Sequence, residues 1–306
     1  MSVEPAVRPV VGEETDDGVL GSLSPSRASD FMTCPLLYRF RVIDQLPEVP
    51  SPDAVRGTVV HSVLERLFSL PAADRTPERA AELLEPAWDD LRESEPELAD
   101  LFGGEPSELG RWLDECRRLL HRYFTLEDPR RLEPAEREVY VETLLESGLQ
   151  LRGYVDRVDV APTGEVRVVD YKTGRAPNEH FEAKALFQMK FYALVLWRTR
   201  GVVPRMLQLI YLGSGEMLRY VPEERDLLAT ERKVQALWKA IERARDTGDW
   251  RPRRSALCEW CDHKAICPEW GGTPPPLPTE DDSSSRGMGR QDQEAGPSPA
   301  AGSTSG

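Results

Sequence analysis

The stretch "QLRGYVDRVDVAPTGEVRVVDYKTG", residues 150–174, limits the fold of this chain more than any other. Two runs rich in valine and tyrosine flank the turn signal Ala161-Pro162-Thr163-Gly164, which predicts an antiparallel hairpin. Pairing Val160 with Val166 sets a register in which Asp156 lies directly opposite Asp170. Directly opposed residues share a face, with Cβ atoms about 4.5–5.5 Å apart, and a slip of one residue would separate them. Lys172, two positions beyond Asp170, points the same way. Two carboxylates and an ammonium are therefore expected at the end of a buried strand. Burying charge is costly unless it is compensated, and two like charges at this spacing need a cation between them. Hard oxygen ligands suit Mg2+ or Mn2+. The triplet Asp170-Tyr171-Lys172 by itself fits a plain structural ion pair at least as well.

Elements on either side follow from pattern. Ser24 before Pro25 reads as an N-cap with proline at the first helical position. Residues 53–68 place Val60, Val63, Leu64 and Leu67 at helical spacing. An acidic, mostly helical insertion is expected over about 71–125. Strands are expected in "REVYVETLLE", "LQLRGYVDRVDV" and "EVRVVDYKT", then a helix in "EHFEAKALFQMKFYALVLWRTR". "RMLQLIYLG" reads as a further strand and "EERDLLATERKVQALWKAIERARD" as a last long helix. The acidic residues 1–20 and the Pro/Ser/Gly-rich residues 272–306 are expected to be disordered, because they hold too little apolar surface to offset ordering.

Gly57, His61 and Glu65 recur every four residues on one helical face, and Gln188 and Tyr192 do the same on another helix. Singly, such a histidine reads as core and such a Gln/Tyr pair as surface. In order, however, Gly57/His61, Gly153/Asp156, Asp170/Lys172 and Gln188/Tyr192 resemble the RecB-type branch of the PD-(D/E)XK nuclease superfamily. The resemblance covers roughly residues 21–271. It implies an α/β, restriction-endonuclease-like core of helix, three-stranded meander, helix and strand. It also implies a metal held by His61, Asp156, Asp170 and the Tyr171 carbonyl, with Lys172 beside the attacking water. Gln188 and Tyr192 would position the scissile strand. Asp159 and Glu65 stand near enough in sequence to support the ligands, or on a solvated face.

The cysteines add a second constellation. Cys258, Cys261 and Cys267 are spaced C-x2-C-x5-C, and Cys34 stands alone far upstream. Clustered thiols suggest a metal site, and spacing alone leaves zinc and iron–sulfur open. The arrangement is similar to the iron–sulfur-containing branch of the same family, seen in the AddB nuclease domain, exonuclease V and the CRISPR-adaptation nucleases. That likeness implies a [4Fe–4S] cluster as a C-terminal clasp joining Cys34 to residues 258–267. Cys116 shares an apolar face with Trp112, Leu119 and Tyr123 and reads as a buried thiol. His263 reads as a bystander.

A net charge of −14 argues at first against a nucleic-acid partner. Residues 1–20, 71–110 and 273–306 carry −4, −9 and −3, so the remainder is at +2. Basic clusters at 38–41, "YRFR", and 251–254, "RPRR", are expected to form one wall for DNA. No apolar run reaches 18 residues, so no membrane span is expected, and the location is read as cytoplasmic. The chain lacks the G-x4-G-K-[ST] loop, so a helicase would be a separate partner. The reading is a metal-dependent exonuclease on single-stranded DNA, in repair or processing. A structure-specific endonuclease with the same site is one rival, and a non-catalytic iron–sulfur DNA-binding module is the other.

Overall fold

The computed structural model describes residues 21–103, 105–176 and 179–278. The stretches 1–20 and 279–306, within the segments expected to be disordered, lie outside the described residues. Residues 272–278, assigned to the same tail, instead lie against the body, where the Pro275 carbonyl accepts a hydrogen bond from Arg39 at 2.5 Å.

Strand β1 (Ser22–Leu23) leads into helix α1 (Pro25–Thr33), which starts as expected: the Ser24 hydroxyl accepts from the Arg27 N–H, and Pro25 follows. Helix α2 (Pro52–Ser69) uses the same device, with Ser51 as cap and Pro52 behind it. Helices α3 (Pro77–Glu82), α4 (Leu84–Ser94) and α5 (Pro106–Leu126) fill the acidic insertion. Strands β2 (Glu136–Leu144), β3 (Gln150–Val160) and β4 (Val166–Lys172) form the meander. Helix α6 (Glu179–Arg200), strands β5 (Met206–Tyr211) and β6 (Glu216–Tyr220), and helix α7 (Glu224–Thr247) follow.

The strands form one mixed sheet. β3 pairs antiparallel with β2 on one side and β4 on the other; β5 runs parallel to β4, and β6 closes the edge. β1 lies parallel to the start of β3. The Val160–Val166 register is present as expected. β4 is buried on both faces, which is why Val166, Val168, Val169 and Tyr171 do not alternate with exposed polar residues. Val166 and Val168 face a core shared with α1, α6 and α7. Val169 and Tyr171 face a second core built from α2 to α5. The run Phe191–Leu196 of α6 is buried all round, because that helix is wedged between the sheet and α7. Sequence patterning missed β1 and β6: the first is two residues long, and the second is an edge strand with Glu216 and Arg219 exposed.

Strand β3 is irregular near its centre. Val155 joins the core on the α6 side, yet Arg157, two residues on, lies over Phe68 on the α2 side. A regular strand would keep both on one face. The alternation breaks at Asp156, and opposite it on β2 Glu138 adopts φ +40°. That region is costly for a residue with a side chain, about 1–3 kcal/mol.

Candidate active site

The β3–β4 ladder stops at Arg157–Val169, one position short of the aspartates. Beyond it the strands diverge. The Tyr171 N–H, which a continuing ladder would give to a β3 carbonyl, instead donates to Asp156 Oδ2 at 2.7 Å. Asp156 thus sits in the mouth of the split. Asp170 faces α6, 1% exposed, with its Oδ2 2.7 Å from Lys172 Nζ. That oxygen has no aligned hydrogen bond despite the close ammonium, so it keeps a lone pair unfilled inside the protein.

His61, on α2, enters from the other face. Its Nε2 donates to the Tyr171 carbonyl at 2.9 Å. Its Nδ1 lies 3.5 Å from Asp156 and 3.7 Å from Glu138. Burial works against charge on this imidazole, but Glu138, Asp156 and Asp170 together lift it to about 9. Burial, then the neighbouring Asp170 carboxylate, push Asp156 up to about 7. A protonated His61 is therefore the cation that compensates the acids, and a metal would take over that role by displacing the proton.

His61, Glu138 and Asp156 are the one group of possible ligands among the described residues whose donor atoms all lie within 4.8 Å of one another. With the Tyr171 carbonyl alongside and the unfilled Asp170 oxygen nearby, this oxygen-rich set fits a hard divalent cation. Glu138 is the residue that sequence reasoning missed. The turn around Gly148, φ +82°, sets a β2–β3 register that places Glu138 opposite Asp156, and that was the available signal.

On the α6 side, Gln188 locks the basic end of the site. Its Oε1 accepts from Lys172 at 3.0 Å, while its Nε2 donates to Asp170 at 3.2 Å and contacts the Tyr192 hydroxyl at 3.4 Å. The Tyr192 ring lies against the β3 backbone. A Cβ at position 153 would stand 2.8 Å from it, so only glycine fits there. Gly57 has no such need: a Cβ would meet Thr173 at an ordinary 3.7 Å. Glu65 lines the crevice with His61 and Glu138. Asp159 does not reach the site. It pairs with Arg157 at 3.1 Å and Arg167 at 2.7 Å, below the split.

The expected basic wall is largely consumed by internal contacts. Arg39 is buried against Asp44, and Arg41 pairs with Asp30 and Glu48. Arg251 pairs with Asp249, Arg253 donates to the Met32 carbonyl, and Arg254 lies over Trp270.

Cys34, Cys258, Cys261 and Cys267 converge on one cavity of about 50 Å³. Backbone N–H groups of Arg253 and Ser255 donate to the sulfurs of Cys34 and Cys258. Burial, followed in each case by the other thiols of the group, raises Cys261 and Cys267, partly offset by backbone N–H groups. His263 stays out of the cavity, buried on Phe40 with Nε2 3.0 Å from Glu48. Cys116 is fully buried in the α2–α5 core, where burial pushes its thiol up to about 12.

A family model for the PD-(D/E)XK nuclease superfamily matches residues 22–268. The "Gene 69 protein" of Mycobacterium phage L5 is 30% identical over 124 residues, 40% of each chain. The protein of the same name from Mycobacterium phage D29 is 27% identical over 210 residues, 58% of this chain and 70% of its own. Among solved structures, a protein named "Putative exonuclease" from Eubacterium rectale superposes with a TM-score of 0.53. The match covers 84% of this chain and 94% of that one at 13% identity, which speaks for the fold alone.

Proposed function

This chain belongs to the PD-(D/E)XK nuclease superfamily, and from that premise we propose that it is a divalent-metal-dependent deoxyribonuclease, an exonuclease on single-stranded DNA in repair or processing. The observation that supports this reading is the β3–β4 split, where Asp156 accepts the Tyr171 N–H, Asp170 lies 2.7 Å from Lys172, and Gln188 holds the last two. A Mg2+ or Mn2+ ion on Asp156, Asp170, the Tyr171 carbonyl and His61 would acidify a bound water and neutralise charge on the phosphate. Glu138 is placed to join that ligand set. Lys172 offers its ammonium to the phosphate oxygens as negative charge builds there. Gln188 bridges that ammonium and Asp170, holding the pair in place. The Tyr192 hydroxyl, at the other end of Gln188, steadies the amide.

The exonuclease assignment also draws on the name of the Eubacterium rectale neighbour. A separate helicase is proposed as a partner, since the 306 residues hold no G-x4-G-K-[ST] loop. Among the described residues no helix is long and apolar enough to cross a membrane.

The four cysteines would hold a [4Fe–4S] cluster that clasps the chain's ends. This assignment rests on the likeness in cysteine spacing, C-x2-C-x5-C with a distant Cys34, and on the convergence of all four on one cavity. None of the four lies in the hydrolytic constellation, so the cluster is structural.

The test of the exonuclease reading is digestion of DNA labelled at one end and blocked at the other, beside a closed single-stranded circle. Release of labelled mononucleotides from a free end, with circles intact, is expected. Cut circles would establish the endonuclease instead.

A further inference from the structure

An open groove of about 920 Å³ runs past Lys172 and Gln188. Among its described lining residues are the cations Arg27, Arg152, Lys172, Arg175 and Lys184, and no carboxylate. In a chain of net charge −14 this is a marked local reversal. One end of the groove is formed by Tyr140 and Tyr154, which face each other across β2 and β3 with ring centroids 5.3 Å apart. They are 42% and 59% exposed. Their neighbours Val141 and Val155 point into the core, so the two rings stand on the open side of the hairpin. Along the strands, Tyr140 is two residues from Glu138 and Tyr154 two from Asp156, about 6.5–7 Å at strand rise.

We infer that Tyr140 and Tyr154 form a base-stacking platform that seats an unpaired nucleotide of a single-stranded nucleic acid next to the cleavage site, with its phosphates along the groove cations. The inference rests on the nuclease reading and deepens it. In a duplex the base faces are closed against each other, so only an unpaired strand can offer one to a tyrosine ring. The plain alternative is a cross-strand aromatic pair that merely consolidates the hairpin. Rings placed for that purpose gain from being covered, and these are open. The Tyr140 hydroxyl donates to Glu142 at 2.9 Å, and Gln150 braces the same carboxylate at 3.0 Å, so the ring is held in place while its surroundings stay open. Arg175 is exposed on the rim, and the exposed Lys184 ammonium, near Asp30, donates to the Thr33 hydroxyl at 3.2 Å. Both are available to phosphate.

The test uses the full chain in EDTA and a fluorescein-labelled oligothymidine, read by anisotropy. Tyr154→Ala and Tyr140→Ala should each weaken binding about tenfold, the loss of one stacked base. Tyr154→Phe should bind within about twofold of wild type, because the ring remains. Affinity for blunt duplex should stay unchanged in all three. Arg175→Ala and Lys184→Ala should each reduce the slope of log K against log salt by about 0.7. Melting curves matching wild type exclude a folding defect, and the Phe variant serves as a second control. Alanine variants that bind the single strand like wild type, or a Phe variant as weak as Ala, would overturn the inference. Cleavage of DNA by the same wild-type preparation with Mn2+ separates the two claims. If wild type cuts and the platform is indifferent, only this inference fails; if wild type cuts nothing, the nuclease reading falls with it.

Discussion

The Asp156 carboxylate accepts the backbone N–H of Tyr171 at 2.7 Å, in the place where a strand carbonyl would sit if β3 and β4 stayed paired. A side chain that substitutes for a ladder bond serves structure and chemistry together. Asp156→Ala removes both and leaves a buried N–H unsatisfied, at about 1–3 kcal/mol. Asp156→Asn keeps an acceptor but no charge. Cleavage should be lost in both variants, and the melting temperature should fall in the alanine variant alone. An asparagine variant that cuts at the wild-type rate would remove Asp156 from the ligand set.

Glu138 is expected to act through metal affinity. Glu138→Gln should raise the Mg2+ concentration needed for half-maximal cleavage about tenfold or more, in the range seen when groups around a metal are altered. The rate at saturating metal should change much less. Metal titrations of the two proteins against one substrate decide this. Identical titration curves would mean that Glu138 only balances the charge of His61.

The metal-free protein should be pH-sensitive in a defined direction. His61 is raised from an ordinary 6.5 to about 9, and Asp156 from 3.8 to about 7. Both folded values exceed the unfolded ones, so the folded state holds more protons and stability falls as pH rises. The Asp156 contribution fades as pH climbs from 3.8 through 7, and that of His61 as it climbs from 6.5 through 9. Melting temperatures in EDTA should therefore decline between about pH 6.5 and 9. His61→Gln should flatten that decline, and added Mn2+ should stabilise more at the high end, because metal displaces protons. A flat wild-type profile in EDTA would contradict the electrostatic account.

The cysteine clasp makes a separate expectation. Protein purified without oxygen should be brown and hold about four irons per chain. Cys34→Ala or Cys261→Ala should lose the iron and melt earlier, while Cys116→Ala, deep in the α2–α5 core, should keep it. Stoichiometric zinc without visible absorbance would replace the cluster by a zinc site and leave the hydrolytic residues untouched.

Much of this arrangement was legible in the sequence because it is local. The hairpin register followed from one turn, and the Ser24-Pro25 cap marked where the first helix begins. The i, i+4 spacing of Gln188 and Tyr192 gave their shared face but not their partners, since Lys172 and Asp170 arrive from another element. Glu138 stayed hidden because the strand alternation that would place it breaks at that very residue, with φ +40°. The basic wall was misjudged for a different reason. Composition shows that Arg39 and Arg41 are cationic, but not that Asp44, Asp30 and Glu48 fold back onto them. The groove cations, by contrast, are scattered from Arg27 to Lys184, and no window of sequence joins them.

The central claim is that Asp156, Asp170 and Lys172 form a hydrolytic site that depends on a divalent metal. Its most direct test compares wild type with Lys172→Ala on end-labelled single-stranded DNA in Mn2+ and in EDTA. The account predicts cleavage by wild type in Mn2+ only, a rate about 10²–10³-fold lower for the variant, and strand binding by the variant within about threefold of wild type. Cleavage by wild type in EDTA, or a variant as fast as wild type, would contradict it.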